Sequence, residues 1–141
     1  YVLALDAATG RERWCFDAGE PVLSSPAVAG GVVVVGGWDR DAIALDAATG
    51  RERWRHATGA SISATPAVVD GVVYVASYDN LVYALDAATG EPIWQRRHWP
   101  GDDGFIASPA VADGLVYVSR LDGVLYALDA ADGGLVWQRP L

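Results

Sequence analysis

Ala-Leu-Asp-Ala-Ala-Thr-Gly at residues 44–50, with Trp54 four positions after the glycine, is the stretch that decides the fold, because it recurs. The same letters and the same tryptophan spacing span residues 4–14 and 84–94, and a weaker version spans 127–137. Successive copies are offset by 40, 40 and 43 residues, a period typical of repeat architectures rather than of independent domains. The recurring acid, glycine and tryptophan of each copy are Asp6, Gly10, Trp14; Asp46, Gly50, Trp54; Asp86, Gly90, Trp94; and Asp129, Gly133, Trp137.

Each of the three full copies contains four short segments rich in Val, Ile, Tyr and Trp, separated by turn residues. In the third copy these predicted strands are residues 61–69, 72–77, 81–86 and 92–96. The first link, Asp70-Gly71, is a two-residue hairpin signal, since glycine accepts the positive φ of such turns. The second link carries Asp79, whose short acceptor side chain can bond the turn backbone. Each copy therefore predicts four antiparallel strands.

The third link is the recurring Asp-Ala-Ala-Thr-Gly, whose residue types suit a tight turn. Asp86 can accept hydrogen bonds from the following amides, Thr89 adds a hydroxyl, and Gly90 supplies a left-handed residue. Trp94 then follows at a fixed distance on the next strand, where its ring would bury about 200 Å² between neighbouring sheets. The motif is therefore interpreted as a turn and a packing contact.

Apolar and charged residues are distributed as expected for sheets packed face to face. The segment 32–35 is apolar on both faces, as in strands covered on both sides. The outermost strand carries charged residues at 11–13 and 51–53, and Pro92 in a later copy. Such residues disfavour pairing of a free sheet edge with another strand. These features predict an all-β fold, a β-propeller of four-stranded antiparallel blades.

The register predicts about three and a half blades within a single partial propeller domain, residues 1–141. Its predicted parts are an outer half-blade at 1–17 and blades at 22–57, 61–97 and 105–139. Closed propellers have about 4 to 8 blades, so we expect the chain to belong to a seven- or eight-bladed propeller. Assembly from several copies is the alternative. The expected partners thus include further blades, in the same chain or from other copies.

Composition excludes several classes of function. Hydrophobic residues make up 52% of the chain, yet no apolar run approaches the roughly 20 residues of a membrane-spanning helix, so no transmembrane segment is expected. The net charge is −8, which argues against nucleic acid as a partner. Cys15 is the single cysteine, so an internal disulfide is impossible.

The pattern Ala-x-Asp-x-x-Thr-Gly-x-x-x-Trp resembles the tryptophan-docking motif of the quinoprotein propellers, whose repeats are called pyrroloquinoline-quinone-like. In the dehydrogenases of that family the quinone site implies a vicinal disulfide, a bound Ca²⁺, a catalytic Asp and a Trp beneath the ring. With one cysteine and no acidic-amide cluster, the chain is closer to the non-catalytic members, such as the lipoprotein of the outer-membrane β-barrel assembly machinery. The resemblance implies an extracytoplasmic location, periplasmic or cell-surface.

Residues that differ between copies are where a specific function must be encoded, because folding explains those that recur. In a propeller the blade-entry loops and the second links, here 38–41, 78–80 and 120–122, share one face. Residues 96–104 form an entry loop three residues longer than its equivalents. Trp and Arg often carry binding energy at interfaces. The candidate partner-binding residues are Trp38, Arg40, Tyr78, Arg97, His98, Trp99 and Arg120.

The function expected from these residues is a non-catalytic scaffold that presents its loop face to a protein or peptide partner. No catalytic, cofactor-binding or metal-binding residue is assigned, and no cofactor is expected. Asp39 with Asp41, and Asp102 with Asp103, offer too few carboxylates for the six to eight oxygens that Ca²⁺ takes. Two alternatives stay open: a fragment of a pyrroloquinoline-quinone-dependent dehydrogenase, which would use the quinone with calcium, and an amplified or designed repeat without a selected ligand.

Overall fold

The computed structural model describes residues 1–97, 101, 103–105 and 107–141, and these form fourteen strands and no helix. The all-β prediction is confirmed. The strands are β1 Val2–Leu5, β2 Glu12–Phe16, β3 Ala27–Ala29, β4 Val32–Gly36, β5 Asp41–Asp46, β6 Glu52–Ala57, β7 Ala67–Val69, β8 Val72–Ala76, β9 Val82–Asp86, β10 Pro92–Arg96, β11 Ala110–Ala112, β12 Leu115–Ser119, β13 Val124–Asp129 and β14 Leu135–Pro140.

The strands form one two-stranded sheet and three four-stranded sheets, all antiparallel. Strands β1 and β2 make the half-blade, while β3 to β6, β7 to β10 and β11 to β14 make the first, second and third blades. Within each blade the strands lie in chain order, with the short first strand at one edge. This is the predicted partial propeller of four-stranded blades.

The first strand of the second blade is shorter than predicted, because its entry segment bonds to loops instead of to a ladder. Residues 61–69 were expected to be extended, but β7 covers only Ala67–Val69. Pro66 lacks an amide hydrogen and cannot donate to a ladder. Upstream, the Ile62 amide donates to the carbonyl of Gly37 in the first blade at 3.1 Å. The entry segment therefore joins two blades.

The core lies between the sheets rather than within one central volume. All five residues of β4 are buried, and they alternate in direction. Val32 and Val34 pack toward the second blade, whereas Val33 and Val35 pack toward the half-blade. Strands covered on both faces explain the continuous apolar runs in the sequence.

The recurring tryptophans lie between successive sheets and bond to the next one. The Nε1–H of Trp54 donates to the carbonyl of Ala87 in the second blade at 2.9 Å. Trp14 and Trp94 make the equivalent bonds at 3.0 Å, and Trp54 and Trp94 are buried. At the last sheet, Trp137 is 40% exposed. Each junction between described sheets is thus built on one indole.

The glycine of the second, third and fourth motifs accommodates the tryptophan of the preceding sheet. Gly90 has a φ of 75°, and a Cβ there would lie 2.6 Å from Cδ2 of Trp54, well inside van der Waals contact. Gly50 and Gly133 meet the preceding tryptophans in the same way. The position therefore needs glycine both for its left-handed backbone and for its missing side chain.

The aspartate of the motif holds the turn through one carboxylate oxygen. Oδ1 of Asp86 accepts hydrogen bonds from the amides of Ala88 and Thr89 and from the Thr89 hydroxyl, at 2.8 to 3.1 Å. These hydrogen bonds lower the pKa of Asp86, and the bond from the Thr89 amide has the largest effect. Asp46 also accepts from the Arg53 guanidinium at 2.7 Å, and this bond is the main cause that lowers its pKa to about 2. Both carboxylates are therefore ionised at neutral pH.

Candidate functional site

The antiparallel blades divide the molecule into two faces, and the links between second and third strands lie on one of them. This surface, formed by residues 37–41, 77–81 and 120–124 with the blade-entry segments, is called the loop face. The Trp38 amide donates to the Pro21 carbonyl at 3.0 Å, so link and entry segment are in contact. The hairpins and the Asp-Ala-Ala-Thr-Gly turns lie on the opposite side, called the turn face.

Large apolar side chains project from the loop face at one equivalent position in each blade. Trp38, Tyr78 and Leu121 occupy this position and are 63%, 38% and 55% exposed. None of the three belongs to the apolar clusters that pack between the sheets. Because aromatic side chains are enriched at protein interfaces, the row is a candidate contact surface.

The backbone of each link is fixed by an aspartate directly after the apolar residue. Oδ1 of Asp79 accepts from the Leu81 amide at 2.9 Å, and Asp122 does the same for Val124 at 3.0 Å. The following residue is left-handed, with φ of 74° at Arg40 in the first blade. The exposed side chains are therefore carried by ordered turns.

Arg40 remains available on the surface, as its candidate role requires. Its carbonyl accepts from the amide and the hydroxyl of Thr58, each at 2.8 Å, which fixes the main chain. Its side chain is exposed. Arg40 thus provides a positive charge two residues after Trp38, on the same turn.

The assignment of Arg120 to partner binding is wrong, because its side chain is buried. The guanidinium donates to the carbonyl of Asp103 at 2.9 Å and to Asp122 at 2.5 Å, and it lies 6.0 Å from the centre of the Phe105 ring. Its side chain has no solvent exposure. Arg120 occupies the inward-facing position of Gly37 and Ser77, so its charge holds the entry segment of the third blade instead of a partner.

The long entry loop is described only in part. Arg97 is exposed, and its guanidinium donates to the Gly101 carbonyl at 2.9 Å. The Asn80 amide donates to the same carbonyl, so this loop is joined to the link of the second blade. His98 and Trp99 lie outside the described residues. Their candidate role stays a prediction.

The acidic residues of the links on the loop face are engaged in ion pairs or turns and do not suit a cation site. Arg55 contacts Asp39 at 3.2 Å and Asp41 at 2.9 Å. Within the described ranges no group of three or more His, Cys, Asp or Glu side chains could hold a metal ion. With Cys15 as the single cysteine, the vicinal disulfide of the quinone site cannot form either.

A family comparison identifies the architecture that these contacts build. The model of the family described as outer membrane protein assembly factor BamB matches residues 1–141. The chain belongs to the BamB family. A comparison with curated protein sequences finds no match. The resemblance to pyrroloquinoline-quinone-like propellers is confirmed at the level of the family.

Solved structures with the same fold include a BamB and proteins of other functions. BamB from Moraxella catarrhalis is 28% identical, with a TM-score of 0.84, over 94% of this chain and 41% of that one. The quinohemoprotein alcohol dehydrogenase ADHIIG from Pseudomonas putida HK5 is 24% identical, with a TM-score of 0.86, over 98% and 31%. The computationally designed Ika8 protein is 18% identical, with a TM-score of 0.84, over 97% and 42%.

The chain spans less than half the length of these structures, and the two of lower identity support the fold alone. A search of the described residues for a helix long and apolar enough to cross a membrane found none.

Leu121 is an exposed loop-face residue that is not among the candidates predicted from the sequence. It lies in the same link as Arg120 and Asp122. The signal lay in the alignment of the repeats, since Leu121 stands at the position of Trp38 and Tyr78, while Arg120 stands at that of Gly37. Comparing side-chain type at equivalent positions would have selected it.

Proposed function

We propose that the chain is a non-catalytic propeller scaffold that binds a protein or peptide partner through its loop face. The observation that carries the proposal is the row of exposed apolar side chains, Trp38, Tyr78 and Leu121, one on each blade. They differ in type from blade to blade, so they can specify a partner in a way that recurring residues cannot.

The rigidity of the links supports binding, because less conformational entropy is lost when a surface is already ordered. Asp79 and Asp122 hold two of the three links, and Arg40 adds a charge that could pair with an acidic group. The name of the family, an outer membrane protein assembly factor, is that of a protein acting on other proteins. Family membership also supports the proposal that the chain lies outside the cytoplasm, in the periplasm or at the cell surface.

A photo-crosslinking experiment separates the two faces. Benzoylphenylalanine is introduced singly at Trp38, Tyr78 and Leu121, and, as a matched control, at exposed Ala48 and Ala88 of the turn face. After irradiation in cells of the host species, we expect discrete protein adducts from the three loop-face positions and none from the controls. Adducts are detected by gel shift and identified by mass spectrometry.

Equal crosslinking from both faces would contradict a specific loop-face partner. Adducts from neither face would support the third interpretation, an amplified repeat without a selected ligand. The dehydrogenase alternative predicts a different result: a bound chromophore and dye-linked alcohol oxidation after addition of pyrroloquinoline quinone and Ca²⁺. That activity would overturn the non-catalytic part of the proposal.

A further inference from the structure

The turn face contains an open cleft of about 500 Å³ between the first and second blades, on the side opposite the proposed partner surface. Its apolar walls include Val32 of β4 and Val68 of β7, together with Ala87 of the recurring turn. The volume lies within the range of about 300–1,000 Å³ that is usual for small-molecule sites. The proposed loop-face function does not use this cleft.

Two residues after Val32 on β4, one side chain is smaller in the first blade than in the other two. Val34 occupies the position of Tyr74 and Tyr117 in the repeat. Tyr74 packs against the third blade, where its hydroxyl donates to the Ala130 carbonyl at 3.4 Å. The corresponding carbonyl at the first junction is that of Ala87, which lines the cleft. Valine at position 34 is too short to reach it.

The cross-strand neighbours of this position are alanines in both the first and the second blade. Val34 is paired with Ala27 and Ala44, while Tyr74 is paired with Ala67 and Ala84. A tyrosine at position 34 would thus meet the same alanines as it does in the second blade. One difference between the first junction and the next is therefore the size of this side chain.

Charge at the rim of the cleft is unbalanced toward the negative. Asp70, Asp86 and Arg53 line it, and Arg53 is already paired with Asp46 at 2.7 Å. Asp70 and Asp86 form no ion pair within the part of the chain that the structure describes. In the second blade, Ile93 replaces Arg53, so Asp86 lacks the cation that neutralises Asp46.

We propose that this cleft binds a small amphipathic organic cation, with its apolar body between the valine and alanine walls and its positive group beside Asp70 and Asp86. The apolar walls would supply affinity through burial of the body. The two carboxylates would select a cation over a neutral or anionic compound of the same shape.

Benzamidine is a suitable probe, because neutral benzamide and anionic benzoate have nearly the same shape. Binding is measured by titration of the protein into each compound, followed by the line widths of the compound's NMR signals. We expect saturable binding of benzamidine and at least fivefold weaker binding of benzamide and benzoate. Val34→Tyr should weaken benzamidine binding tenfold or more, because the tyrosine would extend toward the Ala87 carbonyl at the cleft, as Tyr74 does toward that of Ala130.

Charge variants test the same site without altering its volume. Asp70→Asn should weaken benzamidine binding about two- to fivefold, the size of an exposed ion pair, and should leave benzamide unaffected. Asp113→Asn is the matched control: Asp113 starts the same hairpin in the third blade, with a φ of 51° against 49°, and does not line the cleft. Asparagine tolerates this left-handed conformation.

Three results would overturn the proposal: no saturable benzamidine binding at millimolar concentration, equal binding of benzamide, or unchanged binding by a folded Val34→Tyr protein. Folding of that variant is checked by far-ultraviolet circular dichroism. If it does not fold, the pair of asparagine variants decides, and equal effects at positions 70 and 113 would overturn the site.

Discussion

Trp54→Ala is expected to lower the free energy of unfolding by about 3–5 kcal/mol, the range for removing a large buried aromatic side chain. Trp54 is 7% exposed and fills the junction between the first and second blades. Its loss would leave a cavity and would also remove the indole donor to the Ala87 carbonyl at 2.9 Å. Urea denaturation followed by circular dichroism measures the change.

Two further variants locate the source of that energy. Trp54→Phe keeps an aromatic ring but loses the donor, so we expect a smaller loss that includes about 1 kcal/mol for the hydrogen bond. Trp137→Ala changes the same motif position in the last sheet, where the ring is 40% exposed, and in this 141-residue chain should cost less than Trp54→Ala. Equal losses at Trp54 and Trp137 would show that the tryptophan acts within its own sheet.

Gly90→Ala is expected to destabilise the protein by about 2–5 kcal/mol, because two costs act together. A left-handed backbone costs a non-glycine residue about 1–2 kcal/mol. The new Cβ would also lie 2.6 Å from Cδ2 of Trp54, and overpacking of this kind costs about 1–3 kcal/mol. The change is again measured by urea denaturation.

Gly114→Ala is the matched control for backbone strain alone. Gly114 has the same φ of 75°, and a Cβ there would meet nothing within 4 Å. Its loss should therefore be limited to the backbone term of about 1–2 kcal/mol. If both alanine variants were equally stable, the contact between Trp54 and Gly90 would not hold the blades together.

The fold could be predicted from the sequence because its turns depend on local chemistry. Asp70-Gly71 adopts the left-handed pair of angles, 49° and 78°, that its residue types favour. The recurring Asp-Ala-Ala-Thr-Gly closes its turn through Asp86 and Gly90, as the residues suggest. These features need no knowledge of distant parts of the chain.

The loop face was harder to predict because side-chain direction there depends on packing between blades. Arg120 and Leu121 are adjacent, and the sequence of the link does not say which turns inward. The structure directs Arg120 toward Phe105 and Asp103 of its own entry segment, contacts 15 or more residues apart in sequence. Residue 120 of this link points inward and residue 121 points outward. A one-residue error in register would therefore interchange the buried arginine and the exposed leucine.

The cleft could have been found by aligning the repeats, although the motif itself gives no sign of it. The informative position is Val34, whose equivalents are Tyr74 and Tyr117. A loss of volume at a buried repeat position leaves space between blades, provided that the neighbouring residues stay the same. Ala27 and Ala44 stay the same, so the shorter side chain of Val34 is not compensated by its cross-strand partners.

The central claim is that recurring tryptophans join the blades, whereas non-recurring residues are left for binding. Hydrogen exchange of the indole N–H groups, followed by NMR, tests it most directly. The account predicts slow exchange for Trp54 and Trp94, which donate to carbonyls at 2.9 and 3.0 Å, and fast exchange for Trp38, which is 63% exposed. Exchange at Trp54 as fast as at Trp38 would contradict it.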